Sequence, residues 1–97
     1  MMIRHTVVFT LKHRPGSPEE AAFLRDAMIL ADIPGVQDFE RLRQISTKTD
    51  FAFGFAMAFA DAAAYAAYDA HPDHVAFVRD RWLPEVERFM EIDYQPL

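Results

Sequence analysis

The sequence predicts an α+β domain of order β-α-β-β-α-β. This is the ferredoxin-like arrangement, a four-stranded antiparallel sheet with its helices on one face. Three observations lead there. Residues 3–12 and 51–59 alternate between apolar and small or polar side chains, at the period of a strand. Ser17-Pro18-Glu19-Glu20 opens a helix between them. An alanine-rich helical stretch broken at His71-Pro72 follows the second alternating segment. A chain of 97 residues can bury one two-layer core and no more.

Ile3, His5, Val7, Phe9 and Leu11 share one face of the first strand, and Arg4, Thr6, Val8, Thr10 and Lys12 the other. In the first helix, Ser17 is the cap, Pro18 the first helical position and Glu20 the reciprocal partner three residues on. Its apolar side carries Phe23, Leu24, Ala27, Met28 and Ala31, and it stops at Pro34-Gly35. Residues 36–46 form a weaker strand. Val36, Phe39, Leu42 and Ile45 fall at period three, which a bulge or an edge position explains. In residues 51–59, Phe51, Phe53, Phe55, Met57 and Phe59 take one face, while Ala52, Gly54, Ala56 and Ala58 take the other. Asp61 caps a helix over 62–69. Pro72 interrupts it, because the residue before a proline avoids helical geometry, and a further helix runs toward Leu83. Pro84 kinks or restarts that helix, with residues 86–89 as its tail. Residues 90–94 form a short last strand.

The helices are expected over the face holding His5, Phe9, Phe53 and Phe55. The other face shows Val8, Ala52, Gly54, Ala56 and Ala58 between Thr6 and Thr10. Left bare, it is an apolar patch, and its small side chains let a second sheet approach closely. A homodimer packed sheet on sheet into a joint barrel is expected. A lone, half-solvated sheet is the alternative.

Composition narrows the function classes. Ten basic against fifteen acidic residues leave a net charge of −5, which repels phosphate backbones and anionic lipids. No cysteine is present, so thiolate metal sites and thiol nucleophiles are excluded and a reducing, cytoplasmic setting fits. No run of 18 apolar residues spans a membrane, and the alternating N-terminal segment does not read as a signal peptide. With three glycines, Gly16, Gly35 and Gly54, there is no phosphate-cradling loop. No metal and no cofactor are expected.

Four residues could carry chemistry. His5 lies in mid-strand on the apolar face, as a satisfied core histidine or as an acid/base group lining a cavity. Tyr68, His71 and His74 recur at three-residue intervals across the Pro72 break. One reading is a surface junction with two solvated histidines. The other places His74 in the first turn of the new helix, where the positive end of the dipole disfavours protonation and leaves a neutral base. Phe23, Phe53, Phe55, Phe77 and Trp82 are core rings that could also line a cavity between sheet and helices.

The Arg4-His5 strand, Ile33-Pro34-Gly35-Val36, the aromatic strand 51–59 and Tyr68-Asp69-Ala70-His71-Pro72-Asp73-His74 together resemble the stress-responsive A/B barrel (Dabb) family. The resemblance covers essentially the whole chain, residues 1–97 as one domain. Tyr-x-x-His-Pro-x-His after an aromatic strand is its most specific element. It implies a homodimeric α+β barrel, stress association in plant members, and no assigned reaction for most members. A polyketide-cyclase branch, represented by olivetolic acid cyclase, performs cofactor-free aldol chemistry in the cavity. There the histidine matching His74 acts as base, the tyrosine matching Tyr68 assists, and the histidine matching His5 lies nearby. Two positions depart from that branch: Phe53 stands where it has a histidine, and Asp26-Ala27 where it has a pocket tyrosine.

Two functions follow from this reading. One is a dimeric, stress-associated protein with a small-molecule cavity, His71, Phe23, Phe53, Phe55 and Trp82 contributing to ligand binding. The other is a cofactor-free acid/base enzyme on a small, mostly apolar carbonyl compound, with His74, Tyr68 and His5 as its catalytic groups. Related dimeric barrels that act as monooxygenases or lactone isomerases rank last, because His-Pro-x-His points away from them.

Overall fold

A computed structural model describes residues 1–97. The strands are β1 (Ile3–Leu11), β2 (Gln37–Arg43), β3 (Phe53–Phe59) and β4 (Val86–Tyr94). They form one antiparallel sheet of order β2-β3-β1-β4, the ferredoxin-like α+β topology. The helices are α1 (Pro18–Asp26), α2 (Ala62–Ala70), α3 (Pro72–Phe77) and α4 (Leu83–Glu85). A 3₁₀ stretch, Ala27–Asp32, continues α1, and a π-turn, Val78–Trp82, joins α3 to α4.

The caps act as their residue types require. The Ser17 hydroxyl accepts from the Glu20 amide while the Glu20 carboxylate accepts from the Gly16 amide. Asp61 accepts from the Ala64 amide at 2.8 Å. Each satisfies a helix N-terminal amide that has no partner within its helix.

Odd-numbered β1 residues meet odd-numbered β3 residues, with Val7 opposite Phe55 and Phe9 opposite Phe53. These rings lie under the helices, where Phe9, Phe23 and Phe59 are fully buried. Phe9 is the hub. Its ring centroid lies 4.7 Å from Phe55, 5.0 Å from Trp82 and 5.9 Å from Phe23.

β2 is an edge strand and carries a bulge between Gln37 and Glu40, with Asp38 at φ 52°. Both features account for its period of three. β3 begins at Phe53, two residues later than the alternation suggests.

The C-terminal segment differs from expectation. Residues 86–89 are not a helical tail but the first half of a nine-residue strand, pairing Val86 with Leu11 and Phe89 with Phe9. Proline has no amide to donate. Just before Pro84 the helix widens, the Leu83 amide reaching Val78 O five residues back. Helix geometry ends at Glu85, and Val86 is extended at φ −88°, ψ 125°. Burying Val86 against β1 then favours strand over helix.

The other face is uncovered. Leu42, Gly54, Val8 and Met90 lie in one row across it, and Glu40, Ala56, Thr6 and Ile92 in the next. Ala56 and Ala58 are only 3% and 1% exposed, sheltered by taller neighbours, whereas Leu42, Met90, Ile92 and Tyr94 stand exposed.

Candidate functional site

A cavity of about 270 Å³ lies between strands β3, β1 and β4 and the helices that run from α2 to α4. His5, Tyr68 and His74 are on its wall, with Asp69, Glu91, Phe55, Phe77, Trp82 and Phe89. An engineered cavity of about 150 Å³ is enough for a benzene ring, so this one accommodates a ring with a few further atoms.

The proline break brings Tyr68 and His74 together. Pro72 forces His71 to ψ 136°, ending α2, and Pro72 itself is the first residue of α3. The two rings, on either side of that single joint residue, approach to 4.4 Å between centroids. His74 Nδ1 lies 3.0 Å from Asp69 O. A carbonyl only accepts, so Nδ1 carries the proton and the neutral ring keeps its lone pair on Nε2. The tautomer of His74 is thereby set by a main-chain group at the end of α2. Burial, with the charges of Asp69 and Glu91 adding, pushes the Tyr68 phenol well above its ordinary value. Tyr68 therefore keeps its hydroxyl proton and is able to donate it.

His5 is 8% exposed and answers the demand that a buried histidine have a partner. Its Nδ1 lies 2.6 Å from Asp93 Oδ1 and 2.9 Å from the Tyr65 hydroxyl. That hydroxyl lies 2.8 Å from Asp93 Oδ2 and 3.0 Å from Glu91 Oε1. Burial, and then hydrogen bonding to Asp93 and Glu91, holds the Tyr65 phenol protonated far above its usual range. With Asp93 accepting from Nδ1, the neutral His5 ring also keeps its lone pair on Nε2. His5, Glu91 and Asp93 are the one cluster whose ligand atoms are close enough together to hold a metal ion.

The remaining residues singled out from sequence separate into two groups. Phe55 and Trp82 are on the cavity wall with His5, Tyr68 and His74. Phe23 and Phe53 are buried in the aromatic core and do not line it. His71 does not line it either. Its Nδ1 accepts from the Asp73 amide at 3.1 Å, making it the N-cap of α3. Sequence reasoning missed Tyr65, Glu91 and Asp93. The signal for the last two was available: Phe89, Glu91 and Asp93 alternate along β4 on the helix-covered face, where acidic side chains are out of place unless partnered.

Beside the cavity, Arg81 donates to Glu85 and Asp26 while His13 contacts Glu85 at 2.7 Å. The group ties the π-turn to α1 and to the segment just after β1.

The profile of the Stress Responsive A/B Barrel Domain (Dabb) matches residues 3–96, and the chain belongs to that family. A Dabb family protein with a ferredoxin-like fold from Mesorhizobium loti is 69% identical. It covers 99% of this chain and 97% of its own, at a TM-score of 0.98. A dimeric ferredoxin-like protein of unknown function from Thermobifida fusca is 20% identical, with TM-score 0.78 and coverage of 99% and 92%. A hydroxynitrile lyase from Passiflora edulis is 16% identical, with TM-score 0.81 and coverage of 96% and 91%. At those identities the last two share the fold. No curated protein matches the chain. No helix is long and apolar enough to cross a membrane.

Proposed function

We propose that residues 1–97 act as a single stress-associated Dabb domain that dimerises through its uncovered sheet face and binds a small, mostly apolar molecule in the cavity of each protomer. The carrying observation is the cavity itself, which combines four aromatic rings with two imidazoles and a phenol on one wall. Few, convergent polar groups in an apolar chamber are the usual make-up of a small-molecule site. The dimer is supported by Leu42, Met90, Ile92 and Tyr94, exposed apolar side chains on a face whose centre is Gly54 and Ala56. The T. fusca protein of this fold is described as dimeric. The stress association rests on the family's name, and a cytoplasmic setting on the absence of cysteine. The test is a titration of small aromatic aldehydes and ketones followed by the emission of Trp82, the sole tryptophan. A saturable response is expected; a flat response across the set refutes the reading. A scattering mass of one chain at micromolar concentration refutes the dimer.

The second reading is a cofactor-free acid/base enzyme, favoured by one observation: the Nδ1 of His74 is held by Asp69 O beside the Tyr68 ring, which leaves Nε2 as the nitrogen free to face a substrate. His74 would take a proton from a carbon activated by a carbonyl, Tyr68 would donate to the developing oxyanion, and His5 would orient the substrate. General-base action of this kind is worth about 10²–10⁴ in rate. His74→Ala and Tyr68→Phe then each lower turnover on an identified substrate while the dimer persists. Full activity in both variants rules the mechanism out. If the histidines only join α2 to α3, His74→Ala lowers the melting temperature and leaves ligand response unchanged.

A further inference from the structure

We propose that the cavity sorts its occupants by charge, taking a small aromatic compound with a protonated-amine or neutral hydrogen-bond-donating head and refusing the matching carboxylate. The inference rests on the small-molecule reading and names the substrate class within it. The charged residues on the wall are Asp69 and Glu91, and Asp93 stands directly behind His5. No lysine or arginine lines the cavity. The two guanidinium groups of the π-turn are engaged elsewhere: Arg81 with Glu85 and Asp26, and Arg79, on an adjoining surface groove, with both oxygens of Asp80. The only basic side chain paired with the Glu91 carboxylate is the His5 imidazole, 3.8 Å away. Tyr65 donates to only one of its oxygens.

The two imidazoles do not restore the balance. Each has its Nδ1 proton committed, His74 to Asp69 O and His5 to Asp93. In the neutral ring the remaining nitrogen, Nε2, offers a lone pair, which accepts from a ligand donor and repels an anion. The negative faces of Phe55, Phe77, Trp82 and Phe89 favour a cation over an anion. A carboxylate entering here would lose its hydration and find no fixed positive charge. An ammonium would find Glu91 and four rings.

The experiment titrates benzylamine, benzyl alcohol and benzoate, matched in ring and size, against the intact protein at pH 8 and fixed ionic strength, following Trp82 emission. Benzylamine is expected to bind at least as tightly as the alcohol, and benzoate on the order of tenfold more weakly than the amine, the scale of one partly screened charge contact. Glu91→Gln should shrink the amine-to-benzoate ratio several-fold. Asp69→Asn, at an exposed position, should act the same way and serves if the first variant fails to fold. Benzoate binding as tightly as benzylamine overturns the charge inference and leaves the small-molecule reading standing. A ratio unchanged in both variants also overturns it. Failure of all three compounds to bind overturns both.

Discussion

The two faces of β1 are written in the same nine residues and answer to different requirements. Beneath the helices, His5, Val7, Phe9 and Leu11 are all buried within the single chain. On the uncovered side, Thr6, Val8 and Thr10 are only partly covered, and across β4 their neighbours Met90 and Ile92 stand in solvent. One face completes itself inside the protomer. The other leaves apolar area that only another surface can cover. Damage to the odd positions should therefore unfold the chain, and damage to the even ones should separate copies without unfolding it.

The sharpest break is Phe9→Ala. Removing the hub ring should cost about 3–5 kcal/mol, which for a domain this size lowers the melting temperature by more than about 12 °C. On the uncovered face, Ile92→Arg should change thermal stability of the single chain little while moving the light-scattering mass from two chains to one. Equal loss of fold in both variants would erase the contrast between the faces. A smaller effect is expected at the joint of the roof: His71→Ala removes the α3 cap and should cost about 1 kcal/mol in chemical denaturation, with Trp82 ligand response retained. Smallest is a pH effect at the roof's edge. Burial opposes the charge on Glu85, but hydrogen bonds from Arg81 and His13 prevail and hold its carboxyl below the ordinary glutamate value. A lowered folded-state pKa contributes stability above the unfolded value, and that contribution is lost as the pH falls through the lowered one. Melting temperature should thus decline on acidification below about pH 4.3, and Glu85→Gln should flatten that part of the curve.

The legible part of the fold is the part governed by local periodicity. β1 and β3 alternate, Ser17 and Asp61 cap, and Pro72 divides two helices, each from neighbours within a few residues. The start of β4 was not legible. Val86 and Phe89 stand three apart, as on a helix, yet Pro84 withholds an amide and pairing with Leu11 and Phe9 wins. At the site, Tyr68 and His74 share a motif, so their meeting was readable. Tyr65 reaches Asp93 across 28 residues and His5 reaches it across 88, separations that no local pattern encodes. Phe23 and Phe53 show the complementary limit: in sequence, a ring that fills the core is indistinguishable from one that lines a chamber.

The π-turn at Val78–Trp82 holds one residue more than an α-helical turn would. Deleting a residue there would swing everything downstream by about 100° around the axis. The indole would then be carried off the chamber wall, and Arg81 and Glu85 away from Asp26 and His13. That extra residue is the spacer that phases the end of the roof with the strand that follows it, so shortening the turn by one should cost the protein more than exchanging any side chain within it.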